Sequence, residues 1–206
     1  MAVNLLEPDP FNKASLAPVG DAAVVPIYAA VGYALHRWEG CETSIATVYS
    51  SLVKPKGGNH VLMRSFGTIT APSTRQEMIK YASEAYFEQH ENPALLAELK
   101  AFLKLYQNAG QRRNDIAHAV VEAEGAYAII DNKAVPLPDE WFLVPSIFTT
   151  KKRETRMRGP KYRFSSREIR HYADCFEALG EKAGKLSTAI RKFYSSFPEK
   201  YQSDWS

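Results

Sequence analysis

Apolar residues recur at three- and four-residue steps through most of this chain, and the places where that rhythm breaks divide it into elements. Tyr28, Val31, Leu35, Trp38, Ile45, Val48, Tyr49 and Leu52 form one stripe and predict a long amphipathic helix starting near Pro26. Gly40 lies inside it at modest cost, and Pro55 with Gly57-Gly58 ends it. A second helix is expected from Ser73, which has Gln76 at capping-box spacing and Met78, Ile79, Ala82, Tyr86 and Phe87 on its apolar side. Asn92-Pro93, an N-cap residue followed by Pro at the first helical position, opens a third helix carrying Leu96, Leu99, Phe102, Leu103 and Tyr106. Gly110 predicts a kink or short break near its end.

Between about Glu122 and Phe164 the helical rhythm is lost. Tyr127, Ile129 and Ile130 run into the turn signal Asp131-Asn132, and Trp141-Phe142-Leu143-Val144 follow Pro136 and Pro138. This pattern predicts a small β-hairpin-like insertion of two to four strands. Ser165-Ser166-Arg167-Glu168 then forms a capping box that opens the last long helix. Tyr172, Phe176, Leu179, Ala183, Leu186, Ile190 and Phe193 line one of its faces.

Four amphipathic helices, none able to bury its stripe alone, imply a bundle. The expected fold class is mainly α, a four- to five-helix bundle with its insertion at about 122–164. Residues 1–22, rich in Pro and without a period, read as an N-terminal arm, and 23–206 as a single helical domain.

Composition narrows the picture only a little. Of 206 residues, 45% are apolar and 24% charged, as in ordinary globular chains. The net charge of +3 does not by itself imply a nucleic-acid partner, but its distribution is uneven. Lys151 to Arg170 holds nine Lys or Arg against two acids, which leaves the rest of the chain net acidic. Cys41 and Cys175 give no disulfide framework and no metal spacing, and both fall in helical patterns as buried thiols would. No secretion signal and no membrane span is visible, so a cytoplasmic location is the default expectation. The loop Lys54 to His60 lacks the strand-to-helix setting of a P-loop and reads as a connector.

The candidate chemistry lies in Arg112-Arg113-Asn114-Asp115-Ile116-Ala117-His118, which closes the third helix. It combines a guanidinium that is always charged with an imidazole that titrates near neutrality. The arrangement Arg113-Asn114-x-x-x-His118 resembles the Arg-polar-x-x-x-His signature of the HEPN superfamily, whose best-known members are metal-independent ribonucleases built as helical bundles. The predicted helical pattern agrees with that fold. Five helical residues rotate side-chain direction by roughly 140°, so Arg113 and His118 do not share a face, whereas Asn114 and His118 do.

The resemblance implies RNA as substrate, cleaved by its own 2′-hydroxyl, with no metal or other cofactor. His118 would act as general base or acid, Arg113 would hold the phosphate, and Asn114 would orient His118 or donate to a phosphate oxygen. It further implies a homodimer that brings two motifs into one cleft, and a toxin or antiphage setting in which an antitoxin or other regulatory protein restrains the activity. Arg112 is a second cation within reach and a candidate RNA contact with a weaker claim. Lys151, Lys152, Arg153, Arg156, Arg158, Lys161 and Arg163 are candidates for an RNA-backbone surface, and Tyr162 or Phe164 for stacking on an unpaired base.

Blander readings compete. Ile116, Ala117, Val120 and Val121 give the motif core duty, a lone His is more often a packing or surface residue, and a charge-rich segment is commonly a solvated face. The alternatives are a non-catalytic HEPN-like module that binds a protein, nucleotide or nucleic acid, and an unrelated helical protein with an accidental motif.

Overall fold

The computed structural model describes residues 9–12, 14–53, 59–125, 127–146 and 160–197, and the protein is mainly helical. The described residues form five helices, α1 (Val24–Val53), α2 (Asn59–Gly67), α3 (Pro72–Gln89), α4 (Pro93–Ala117) and α5 (Ser166–Ser195). Among the described residues, four strands, β1 (Ala119–Glu124), β2 (Tyr127–Ile130), β3 (Lys133–Pro136) and β4 (Glu140–Pro145), fall between α4 and α5, where the helical rhythm fails. They pair antiparallel as β1 with β4 and β2 with β3. Asp131 and Asn132 have φ of 50° and 59°, the left-handed backbone that a tight hairpin turn requires. The described helices include none long and apolar enough to cross a membrane.

The chain forms two compact units. One comprises the N-terminal stretch to Trp38 with Gln111–Phe176, the other Glu39–Gly110 with the chain from Glu177. In the first unit, Phe11 stacks on Phe176 with ring centroids 5.7 Å apart, and Trp38 of α1 meets the same ring of α5 edge-on at 5.2 Å. Burying such rings contributes roughly 1.5–3 kcal/mol each, which fixes this part of α5 on α1. Strand β4 is buried along Phe142, Leu143 and Val144, as its continuous apolar run dictates. Short backbone bridges cover it: Asp21 exchanges bonds with Trp141 at 3.0 and 2.8 Å, and Leu143 with Phe164 at 2.8 and 3.0 Å. Gly20 admits this approach, since a Cβ there would lie 2.8 Å from both the Phe142 ring and the Trp141 carbonyl oxygen.

Helix α5 opens with the expected capping box. The Ser165 N–H donates to Glu168 Oε2 at 2.9 Å, and Ser165 Oγ accepts from the Arg167 N–H at 3.3 Å. Asp21 adds a second cap, accepting from the Ser166 N–H at 2.7 Å and from its hydroxyl at 2.6 Å. A carboxylate on exposed N–H groups at the positive end of a helix is favourable electrostatically as well.

The second unit buries Cys41, Ile45, Val48 and Leu52 of α1, Ile79 and Phe87 of α3, Leu95, Leu99, Phe102 and Leu103 of α4, and Leu179, Ala183, Leu186 and Ile190 of α5. Gly180 lets α5 approach α1 closely, a Cβ there lying 3.3 Å from Cys41 Cα. Two buried hydroxyls, Ser51 and Ser187, satisfy one another at 2.7 Å across the same pair of helices. Asn92 caps α4 as its sequence predicts, its Oδ1 accepting from the Leu95 N–H at 3.0 Å.

Several local expectations are corrected. Helix α2 was not anticipated. Helix α3 starts at Pro72 with Ala71 as its cap residue and no side-chain cap bond, so the Ser73 capping box does not form; Pro at the first helical position takes that role. Helix α4 is continuous through the buried Gly110, so a break does not form there. The stripe of α1 is rotated in its first half: Ile27, Ala30 and Ala34 are its buried positions, while Tyr28 is 60% exposed. Small alanines give close packing there, and the large ring is left outside.

Candidate functional site

The signature occupies the C-terminal turn of α4 and the residue beyond it, all within the first unit. His118 and Asn114 are exposed and Arg113 is half-buried. The His118 N–H donates to the Asn114 carbonyl at 3.1 Å, which carries the helical bonding one residue past Ala117 and holds the two residues a turn apart. The Arg113 guanidinium donates through Nη1 to Asn114 Oδ1 at 3.1 Å. Arg113 therefore bends toward the side of the helix that also bears His118, which bare rotation along the helix did not promise.

Arg112 faces the other way. It is buried, and its Nη2 lies 3.1 Å from Asp115 Oδ2. Burial pushes the Asp115 carboxyl above its ordinary range, while Arg112 and Lys161 pull it back down. Arg112 thus serves an internal ion pair rather than an open phosphate site. Lys161 is exposed and acts electrostatically on Asp115, so the end of the basic segment lies beside the signature.

A chain of contacts binds the two together. The Tyr162 hydroxyl donates to the Asp115 carbonyl oxygen at 2.9 Å, across 47 residues of sequence. Its ring stacks on Phe164 at 4.8 Å, and Phe164 meets Tyr172 edge-on at 5.4 Å. Burial raises the Tyr162 phenol well above its ordinary value, so it stays protonated as a donor. Both Tyr162 and Phe164 are buried, which corrects the expectation that either stacks on a base.

Arg163 is also turned inward. Its Nη1 lies 2.6 Å from Glu124 Oε2, its Nε donates to the Ala17 carbonyl at 2.9 Å, and its guanidinium sits 4.4 Å from the centre of the Phe142 ring. Lys151, Lys152, Arg153, Arg156 and Arg158 lie outside the described residues. The structure therefore places Arg113, Asn114 and His118 together at the end of α4, sets Lys161 near Asp115, and commits Arg112 and Arg163 elsewhere.

Sequence reasoning missed a polar cluster in the second unit. Glu42 is only 6% exposed, Arg75 Nη1 reaches its Oε2 at 2.6 Å, and the Tyr106 hydroxyl lies 3.0 and 3.1 Å from its two carboxylate oxygens. Burial raises the Glu42 pKa, with Arg75 and Tyr106 opposing that shift. Its signal was present: Glu42 follows Trp38 by four residues and precedes Ile45 by three, so it stands on the buried stripe. Nearly sealed from solvent, the cluster joins α1, α3 and α4 rather than offering a reaction site. Among the described residues no group of three or more His, Cys, Asp or Glu could hold a metal ion.

No family model, curated protein or solved structure matches this chain.

Proposed function

We propose that this protein is a metal-independent endoribonuclease of HEPN type. The observation that carries the reading is the solvent-reachable group of His118, Asn114 and Arg113 at the end of α4, with the guanidinium bonded to Asn114. In the reaction, an imidazole removes the proton of the RNA 2′-hydroxyl, O2′ attacks phosphorus, and the bond to O5′ breaks as that oxygen takes up a proton. The products are a 2′,3′-cyclic phosphate and a 5′-hydroxyl. His118 is the general base or acid, Arg113 offsets charge on the phosphoryl oxygens, and Asn114 orients them. Lys161 supplies a nearby phosphate contact.

One motif makes half of such a cleft, so the active form is proposed to be a homodimer. The outer face of α1 supports self-association. Val25, Tyr28, Ala29, Gly32, Tyr33 and His36 are exposed, and no Asp, Glu, Lys or Arg occurs from Ala22 to His36. A helix apolar on nearly every side is ordinarily covered. A toxin or antiphage role, with a restraining protein partner, follows from the resemblance alone.

A second reading, a non-catalytic module that binds a protein, is favoured by the β2–β3 hairpin, where Tyr127 and Ile129 are 72% and 71% exposed. The deciding experiment incubates wild-type protein, Arg113→Ala and His118→Ala with mixed RNA in excess chelator. Cleavage by the wild type, lost in both folded variants, supports the ribonuclease. Intact RNA across varied substrates leaves the binding module.

A further inference from the structure

The last four carbonyls of a helix have no partner inside it. In α4 these belong to the signature itself, from Asn114 to Ala117, so whatever satisfies them also sets where His118 stands. Two are accounted for. The Asn114 carbonyl accepts from the His118 N–H at 3.1 Å, and the Asp115 carbonyl accepts from the Tyr162 hydroxyl at 2.9 Å. Tyr162 is 5% exposed, and Phe164, on which it stacks, is fully buried. Phe164 is in turn tied by two backbone bonds to Leu143 of β4. The phenol is therefore a rigid donor, held from the strand side and aimed at the final turn of the helix.

Resting on the ribonuclease reading, we infer that Tyr162 is a positioning residue of the site: its hydroxyl caps the Asp115 carbonyl and thereby fixes the helix end that presents Asn114 and His118. It touches no substrate. Its neighbour Lys161 is exposed where Tyr162 is buried, so adjacent residues divide the work. One anchors the segment to α4, and the other faces solvent beside the motif.

The test uses the full chain with Tyr162→Phe, which keeps the ring stack and deletes only the donor. Phe164→Leu serves as a control that weakens the same stack and leaves the hydroxyl. Hydrogen exchange at the His118 amide is measured in all three proteins, with the Phe102 and Leu103 amides as internal references. Expected in Tyr162→Phe is faster exchange at His118, on the order of tenfold, with the references unchanged. With RNA, kcat falls on the order of fivefold to tenfold while KM stays near the wild-type value. Unaltered His118 exchange in Tyr162→Phe overturns the inference, as does a larger increase in Phe164→Leu, which would place control of the helix end in the stack and not in the donor bond. A raised KM with intact kcat also overturns it, because that pattern marks a substrate contact. Should wild-type protein leave RNA uncut, the ribonuclease reading fails, while the exchange comparison still decides whether Tyr162 holds the helix end.

Discussion

Arg75 holds the Glu42 carboxylate at 2.6 Å in a pair whose acidic member is almost sealed from water. The interaction offsets a desolvation cost instead of adding a free increment of stability, because an isolated carboxylate in that position would be strongly unfavourable. Removing the cation therefore matters more than the pair's own strength suggests. In Arg75→Ala, unfolding at neutral pH is expected to become easier by roughly 3 kcal/mol. Denaturant melts of the two proteins check this, and equal midpoints would refute it.

The pH dependence has a definite sign. Burial raises the folded-state pKa of Glu42 above its unfolded value, so the folded protein takes up this proton more readily. Glu42 then contributes stability that is fully present below the unfolded value and is lost as pH rises through the folded one. Glu42→Gln should flatten the stability profile across that window. Parallel urea titrations from acidic to neutral pH test it; identical slopes in the two proteins would count against it.

Gly20 predicts a steric effect. A Cβ at 2.8 Å from the Phe142 ring and from the Trp141 carbonyl must displace one of them, and the carbonyl belongs to a paired backbone. Gly20→Ala should cost about 1–3 kcal/mol, read from thermal unfolding. A neutral result would show that β4 yields easily.

Lys161 predicts an ionic effect. If it contacts phosphate, Lys161→Ala weakens RNA binding uniformly across sequences and reduces the salt slope by about 0.7–1. Binding isotherms at several salt concentrations measure this. Arg163→Ala should instead lower stability, because its guanidinium is bound to Glu124 and Ala17.

The exposed face of α1 predicts the oligomeric state. Ala29→Glu would place a carboxylate among the exposed apolar residues of this face, one turn from Tyr33 and the Arg37 guanidinium that lies over it, and should shift a dimer toward monomer in sedimentation, with folding intact. A wild-type protein that sediments as a monomer at all concentrations would remove the dimer from the proposal.

What the sequence disclosed was mostly local. Asn92 ahead of Pro93, the box from Ser165 to Glu168 and the turn at Asp131-Asn132 are each decided by residues within a few positions, and each appears where expected. Buried positions of α5 from Tyr172 to Ile190 also followed from spacing. The α1 stripe was misplaced because Tyr28 carries a large ring, whereas the small Ala30 and Ala34 take the buried positions. The site was legible only in its outward half. Exposure of Asn114 and His118 suits a polar helix end, but the inward turn of Arg163 depends on Ala17, 146 residues away. The Tyr162 bond to Asp115 likewise spans the whole strand region. No spacing rule reaches that far, so Tyr162 and Arg163, which read as candidate RNA contacts, are instead bonded to distant parts of the chain.

The two cysteines have a practical consequence. Cys41 and Cys175 are unoxidised, buried, and held as neutral thiols, with burial pushing Cys175 up to about 12 and Cys41 higher still. Alkylating reagents need the thiolate and a path to it, so neither sulfur reacts while its surroundings stay closed. One lies in each compact unit. The natural chain thus carries a pair of silent chemical clocks, and the rates at which they are labelled time the opening of each half separately.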